Sequence, residues 1–231
     1  VAIEKLATLR DSLTAKNVSE TDIDAITLAL RTDKEIDHLL SFDEKTIHFL
    51  SGKLVAKIFD RGRINSLLYI EKHLTFIQDK QLSPTEICDI TARHGGANNL
   101  EALVQHYQLL KTIGFSHQEI IAIAGDVGGS HNLEGTVKYA DYLLTHQFEG
   151  KHGKYTLTHD DISQIAKQRM GYLRLEMLVL CHRKNPNRHL EKNDVMKRLT
   201  QHGNWCGSVS KLLKIELIYC KQKKKIAPHE Y

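Results

Sequence analysis

Apolar residues recur along this chain at the spacing of one helix face, and the pattern itself repeats. The stretch Leu82-Ser-Pro-Thr-Glu-Ile-Cys-Asp-Ile-Thr is followed 33 residues later by Phe115-Ser-His-Gln-Glu-Ile-Ile-Ala-Ile-Ala. Both have an apolar first residue, serine second, glutamate fifth and isoleucine sixth and ninth, and both continue into Gly-Gly and then Asn-Leu-Glu. Agreement at that many places in a single register marks a duplication. Weaker copies open at Val18, Leu50, Leu157 and Leu190, so that successive units are 32, 32, 33, 42 and 33 residues apart. Their sixth positions are Ile23, Val55, Ile87, Ile120, Ile162 and Val195; the ninth are Ile26, Ile58, Ile90, Ile123 and Ile165, broken by Arg198. One unit upstream of Val18, Ile3-Glu4 falls where Leu100-Glu101 and Leu133-Glu134 fall, so the chain is expected to open partway through a unit.

Each unit predicts two helices around a short loop. The serine or threonine at the second place is an N-cap, and the acid three residues on closes a capping box in Ser83/Glu86 and Ser116/Glu119, more loosely in Thr158/Asp161 and Ser19/Asp22. Pro84 takes the first helical position, where its missing N–H costs nothing. Gly95-Gly96 and Gly128-Gly129 then supply the backbone freedom for a sharp reversal into a second apolar-periodic run, Leu100 to Ile113 and Leu133 to Leu144. Such a unit cannot bury its apolar face alone and has to stack on its neighbours. The predicted fold is all-α: a right- or left-handed superhelical solenoid of helix-loop-helix repeats of about 33 residues. Its parts are degenerate helical repeats over 1–81, two well-matched repeats over 82–147, a basic insertion loop over 148–156, and degenerate repeats with a basic tail over 157–231.

Composition narrows the function classes. The 231 residues are 41% hydrophobic and 26% charged with three prolines, which excludes disorder and low complexity. No apolar run approaches the length needed to span a bilayer and the opening residues show no signal-peptide pattern, so a membrane protein is not expected. The four cysteines (Cys88, Cys181, Cys206, Cys220) are far apart and read as reduced thiols, and neither a disulfide framework nor a zinc site is expected. No nucleophile–base or paired-carboxylate arrangement recurs in a fixed place, so no enzyme, cofactor or metal is predicted. Trp205, Phe115, Tyr139 and Tyr142 read as packing residues. The net charge of +4 is uneven: residues 1–81 carry 12 basic and 13 acidic groups, 82–150 carry 3 and 8, and 151–231 carry 17 and 7. A polyanion would meet the last third first, where Lys221 to Lys225 form a short basic tail.

The Leu/Phe-Ser opening, Ile87–Ile90–Thr91 and Ile120–Ile123–Ala124, then two variable residues, Gly-Gly and a Leu-Glu at places nineteen and twenty, resemble the DNA-binding repeats of transcription activator-like effectors. The likeness is greater to their short bacterial relatives, the TALE-like proteins. It is close over residues 82–147, fair over 157–180 and 190–213, and faint over 18–81. It implies a repeat protein that wraps duplex DNA in the major groove, one inter-helix loop per nucleotide, with modest sequence preference. The second residue of each variable pair would face a base edge, the first would hold the loop against the preceding helix, and the glycines would let backbone amides approach a phosphate.

Carried onto this chain, the resemblance makes His94, Val127, Arg169 and His202 the base-contacting residues and Arg93, Asp126, Gln168 and Gln201 the loop-stabilising ones. Gly95, Gly96, Gly128, Gly129, Arg61 and Arg63 would meet phosphates. Side-chain chemistry suggests guanine for Arg169, a purine N7 for the histidines and a thymine methyl for Val127. The expected partner is double-stranded DNA, bound by a monomer, with a protein on the concave surface as a further possibility. The alternative function is an α-solenoid scaffold for protein–protein interaction derived from the same repeats. The resemblance places the protein in a bacterial cytoplasm, or in a host nucleus if it is exported as an effector acting on transcription; Lys223 to Lys225 would then suit a nuclear signal.

Overall fold

The computed structural model describes residues 2–42, 44–60, 64–92, 95–187 and 189–200, which form fourteen helices and two short strands. None of the described helices is long and apolar enough to cross a membrane. The chain divides into two compact units, 1–104 and 105–231, with the division inside α9. The first holds α1 (Ile3–Ala15), α2 (Glu20–Ala29), α3 (Asp33–Ser41), α4 (Glu44–Leu50), α5 (Gly52–Asp60), α6 (Ile64–Lys72), α7 (Leu74–Asp79), α8 (Pro84–Thr91) and the start of α9 (Ala97–Ile113). The second holds the rest of α9, then α10 (His117–Ala124), α11 (Gly129–Thr145), β1 (Phe148–Gly150), β2 (Gly153–Tyr155), α12 (His159–Ala166), α13 (Gly171–Lys184) and α14 (Lys192–Thr200).

The repeat positions mark the core. All six sixth-place aliphatics and all five ninth-place isoleucines are at most 1% exposed. The first helix of each later unit starts where the cap predicts: Ser83/Glu86, Ser116/Glu119 and Thr158/Asp161 form reciprocal capping boxes, and Ser19 accepts from the Asp22 amide. Units begin at a common corner. Asn17, Gln81 and Gly114 take left-handed backbone (φ 57°, 54° and 112°), and the next residue donates back five positions, Val18 to Leu13, Leu82 to Ile77 and Phe115 to Leu110, each at 3.0 Å. Gly114 has a second reason to lack a side chain, since a Cβ there would stand 2.9 Å from the His159 ring.

Four departures from the sequence pattern have local causes. Thr32 and Glu35 close a capping box that starts α3, in a unit whose loop shows no repeat signature. Ser51 is left-handed (φ 61°) instead of extended, because α4 runs to Leu50 and leaves no room for an extended cap before α5. The second helix of the unit opening at Leu50 is interrupted at His73 into α6 and α7. The insertion expected as a basic surface loop is instead an antiparallel ribbon, Phe148 opposite Tyr155 and Gly150 opposite Gly153. Phe148 is 1% exposed and stacks on Tyr155, while the Glu149 carbonyl accepts from the Leu190 amide at 2.8 Å. Burial pushes the Tyr155 phenol well above its ordinary range, so it stays protonated and donates to the Leu190 carbonyl at 2.8 Å.

A polar clamp joins α12 to the next unit. Lys192 lies 2.6 Å from the Asp161 carboxylate, which also accepts from the Thr158 amide and hydroxyl. Burial works against ionisation of Asp161, but Lys192 and Thr158 outweigh it and hold the carboxyl below its ordinary value. A carboxylate lowered in this way stabilises the fold above the ordinary value, near pH 4 (about 3.9), and loses that contribution as acid passes the lower folded value. Asp161→Asn is therefore expected to cost about 1 kcal/mol at pH 7, with wild type and variant converging by about pH 2. Urea denaturation at the two pH values measures both; a cost that persists in acid contradicts the assignment.

Candidate nucleic-acid interface

The loop tips follow from how the second helices start. In α11 the residue before the first turn is Gly128, left-handed at φ 82°, and in α13 it is Met170 at φ 58°. A methionine thus occupies, at a conformational cost, the place where the pattern has glycine. In the unit opening at Leu82 both Gly95 and Gly96 are left-handed (φ 100° and 44°) and α9 starts one residue later. Gly129 and Gly171 carry no positive φ, and Gly171 serves packing instead. At Gly171 a Cβ would lie 2.0 Å from the Ala166 carbonyl oxygen.

The two tips in the second unit are described in full. In the first, Asp126 accepts from the Val127 amide at 2.6 Å and its carbonyl accepts from the Gly129 amide at 3.1 Å. Asp126, Val127 and Gly128 are half-buried, and Gly129 is buried with its amide committed to closing the loop instead of facing outward. In the second tip, Gln168 Nε2 donates back to the Gln164 carbonyl one turn earlier at 3.1 Å, and the Gly171 amide closes the loop on the Gln168 carbonyl at 2.8 Å. Gln168 is half-buried, its Oε1 buried without a hydrogen-bond partner, and Arg169 is exposed at the apex. In the first unit, Gly95 is exposed and Gly96 buried, and their carbonyls accept from the Asn98 and Asn99 amides. His94, His202, Arg93, Gln201, Arg61, Arg63 and Trp205 lie outside the described residues.

The structure brings the tips at 125–128 and 167–170 together through a residue to which the sequence pattern assigned no role. Asn132, in the first turn of α11 and 0% exposed, donates from Nδ2 to the Val127 carbonyl at 3.2 Å and to the Gln168 carbonyl at 3.4 Å. Its Oδ1 accepts from the Tyr172 amide at 3.1 Å. Arg174 stands at the same place in the next unit, 1% exposed, with Nε donating to the Arg169 carbonyl at 3.1 Å and Nη1 to the Leu199 carbonyl. Asn99, also 0% exposed, donates to the Ile90 carbonyl at 3.3 Å. The available signal was an asparagine identical in both close copies, at a place where α9 and α11 otherwise bury leucines.

The helices that carry these tips meet closely. A Cβ on Gly135 of α11 would lie 2.8 Å from the Tyr172 Cα of α13, so the two helices approach to backbone contact there. At the far ends, the Tyr142 hydroxyl bonds His182 Nδ1 at 2.8 Å while His182 Nε2 donates to the Gln147 carbonyl at 2.9 Å, so the imidazole links the two residues through both ring nitrogens. Among the described residues no group of three or more His, Cys, Asp or Glu side chains is gathered as for a metal ion. No protein-family model and no curated protein matches this chain.

The two kinds of glycine separate experimentally. At Gly128 an added Cβ meets nothing closer than 3.8 Å, so Gly128→Ala is expected to cost only its left-handed backbone, about 1 kcal/mol. Gly171→Ala drives a Cβ into backbone and is expected to cost about 3 kcal/mol or more. Chemical denaturation of both variants checks the order; a larger loss for Gly128→Ala would refute it.

Proposed function

We propose that this chain is a double-stranded DNA-binding repeat protein of the TALE-like kind, a solenoid that sets successive inter-helix loops along the major groove with modest sequence preference. The observation that supports this most is the pairing of the two fully described tips. The Val127 and Gln168 carbonyls both lie within 3.4 Å of one Asn132 nitrogen, hence less than 7 Å apart. A donor shared by two loops keeps the tips side by side, as loops that address neighbouring base pairs have to stand. Each loop is short, has a left-handed residue at its base and presents one residue at its outer end, Val127 half-buried and Arg169 exposed. An exposed arginine beside an apolar residue suits a guanine next to a thymine: the guanidinium can donate to O6 and N7, and the valine can meet the thymine methyl.

In this reading the C-terminal third supplies the phosphate attraction, since residues 151–231 carry 17 basic against 7 acidic groups. The opposite balance over 82–150, 3 against 8, favours the second reading, a helical-repeat scaffold whose partner is a protein.

Mobility shifts on random duplexes separate the two. DNA binding predicts retardation at low salt that weakens steeply toward about 200 mM, and Arg169→Ala relaxing preference at a single base position by roughly 1–3 kcal/mol. A chain that leaves duplexes unretarded even at low salt is not a DNA-binding protein, and the scaffold reading then stands.

A further inference from the structure

We propose that Asn132 and Arg174 are positioning residues for sequence readout: each sets the register between its own loop and the following unit, so that Val127 and Arg169 are presented to neighbouring bases as a coupled pair. This rests on the DNA-binding reading above. The two residues differ in size, charge and donor geometry, yet they occupy the same place in successive units, and each bonds both its own loop and the following unit, Asn132 at that unit's twelfth place and Arg174 at its tenth. One donor holds the carbonyl of the loop's outer residue, Val127 or Arg169. The other holds a carbonyl of the unit that follows, Gln168 or Leu199. Both side chains are almost fully buried, so each bond forms away from water and its loss is costly at the Val127 or Arg169 carbonyl, while the Gln168 carbonyl keeps the Gly171 amide.

The bonds act on the proposed base-reading residues through the backbone. A carbonyl fixed at Val127 fixes the peptide plane after it, and with it the direction of the Val127 side chain; the same holds for Arg169. Because the Asn132 amide bridges two loops, a shift of one outer residue is passed to the other. The Tyr172 amide completes the bridge, for it lies in the first turn of α13, where no intrahelical acceptor exists, and Asn132 Oδ1 supplies one. Asn132 thereby sets both where α13 starts and where the tip before it points.

The test uses the full chain and random-duplex selection, with Asn132→Ser and Arg174→Gln as variants. Asn132→Ser is expected to keep low-salt binding of random duplexes within about threefold while preference falls about tenfold at two adjacent positions, those that Val127→Ala and Arg169→Ala each blur singly. Arg174→Gln retains a shorter amide donor and is expected to blur the Arg169 position while sparing that of Val127. In the free protein, amide exchange at Tyr172 is expected to be slow and to accelerate in Asn132→Ser with other α13 amides unchanged. A merely structural role would weaken all positions together, and that uniform loss overturns the proposal, as does fast exchange at Tyr172 in the wild type. Wild-type protein that retards no duplex defeats the DNA reading, and the proposal with it. Wild-type selectivity that survives both substitutions defeats the proposal alone.

Discussion

A helix that begins straight after a left-handed residue turns the preceding loop back on its first turn and draws loop carbonyls away from water. Buried backbone oxygens have to find donors. In the two fully described loops the donor comes from inside the second helix, from Asn132 or Arg174, and Asn99 at the same place reaches the Ile90 carbonyl in the last turn of α8. This one requirement accounts for much of what is unusual here. It places uncharged amides and a guanidinium where the helix would otherwise bury leucine, and it keeps them there because a buried polar group is tolerable only when its bonds are made. Arg174 is the extreme case: a cation 1% exposed, with carbonyl oxygens as acceptors. An apolar replacement would save the desolvation cost but leave two carbonyls unmet.

Periodicity made the core legible and left the ties illegible, for a physical reason. A buried aliphatic at the sixth or ninth place announces itself through spacing alone, because burial needs only that the residue be apolar and on the right face. The capping boxes were legible for a similar reason, since donor and acceptor are three residues apart in sequence. A tie such as Asn132 to Gln168 joins residues 36 positions apart, and its meaning depends on a carbonyl that any residue would provide. The ribbon at 148–155 hides in the same way. Its strands are three residues each, too short for alternation to register, and its Glu149 carbonyl and Tyr155 hydroxyl depend on Leu190, far along the chain. Thr32 and Glu35 obey the same capping rule but fall away from the places the repeat register marks, so periodicity does not point to them. Met170 could not be read as left-handed, because nothing in a methionine suggests that backbone.

The second unit is fastened between repeats at both ends of its helices. At the tips there are Asn132 and Arg174; at the opposite ends, Tyr142 with His182, Lys192 with Asp161, and His159 with the Ile113 carbonyl at 3.0 Å. Between them Gly135 brings α11 and α13 to backbone contact. Apolar stacking alone would hold the same helices together, but it is roughly proportional to area and indifferent to direction. Two stacked pairs can slide or rotate against each other by an ångström with little change in buried surface. A hydrogen bond near 3 Å loses most of its value over that distance.

The distinction bears on what a loop at the edge of a stack can do. Hydrophobic burial fixes which helices are neighbours, and the polar ties fix where each tip stands relative to the next. Reading a polymer of regular pitch requires the second kind of precision, whereas gripping an irregular protein surface requires mainly the first. A chain selected only to stack would gain nothing from burying a guanidinium at the place where its neighbour uses an asparagine. Two such different side chains both tie the outer residue of their own loop to the unit that follows, and under the proposed DNA-binding reading that shared tie acts as a constraint on tip position.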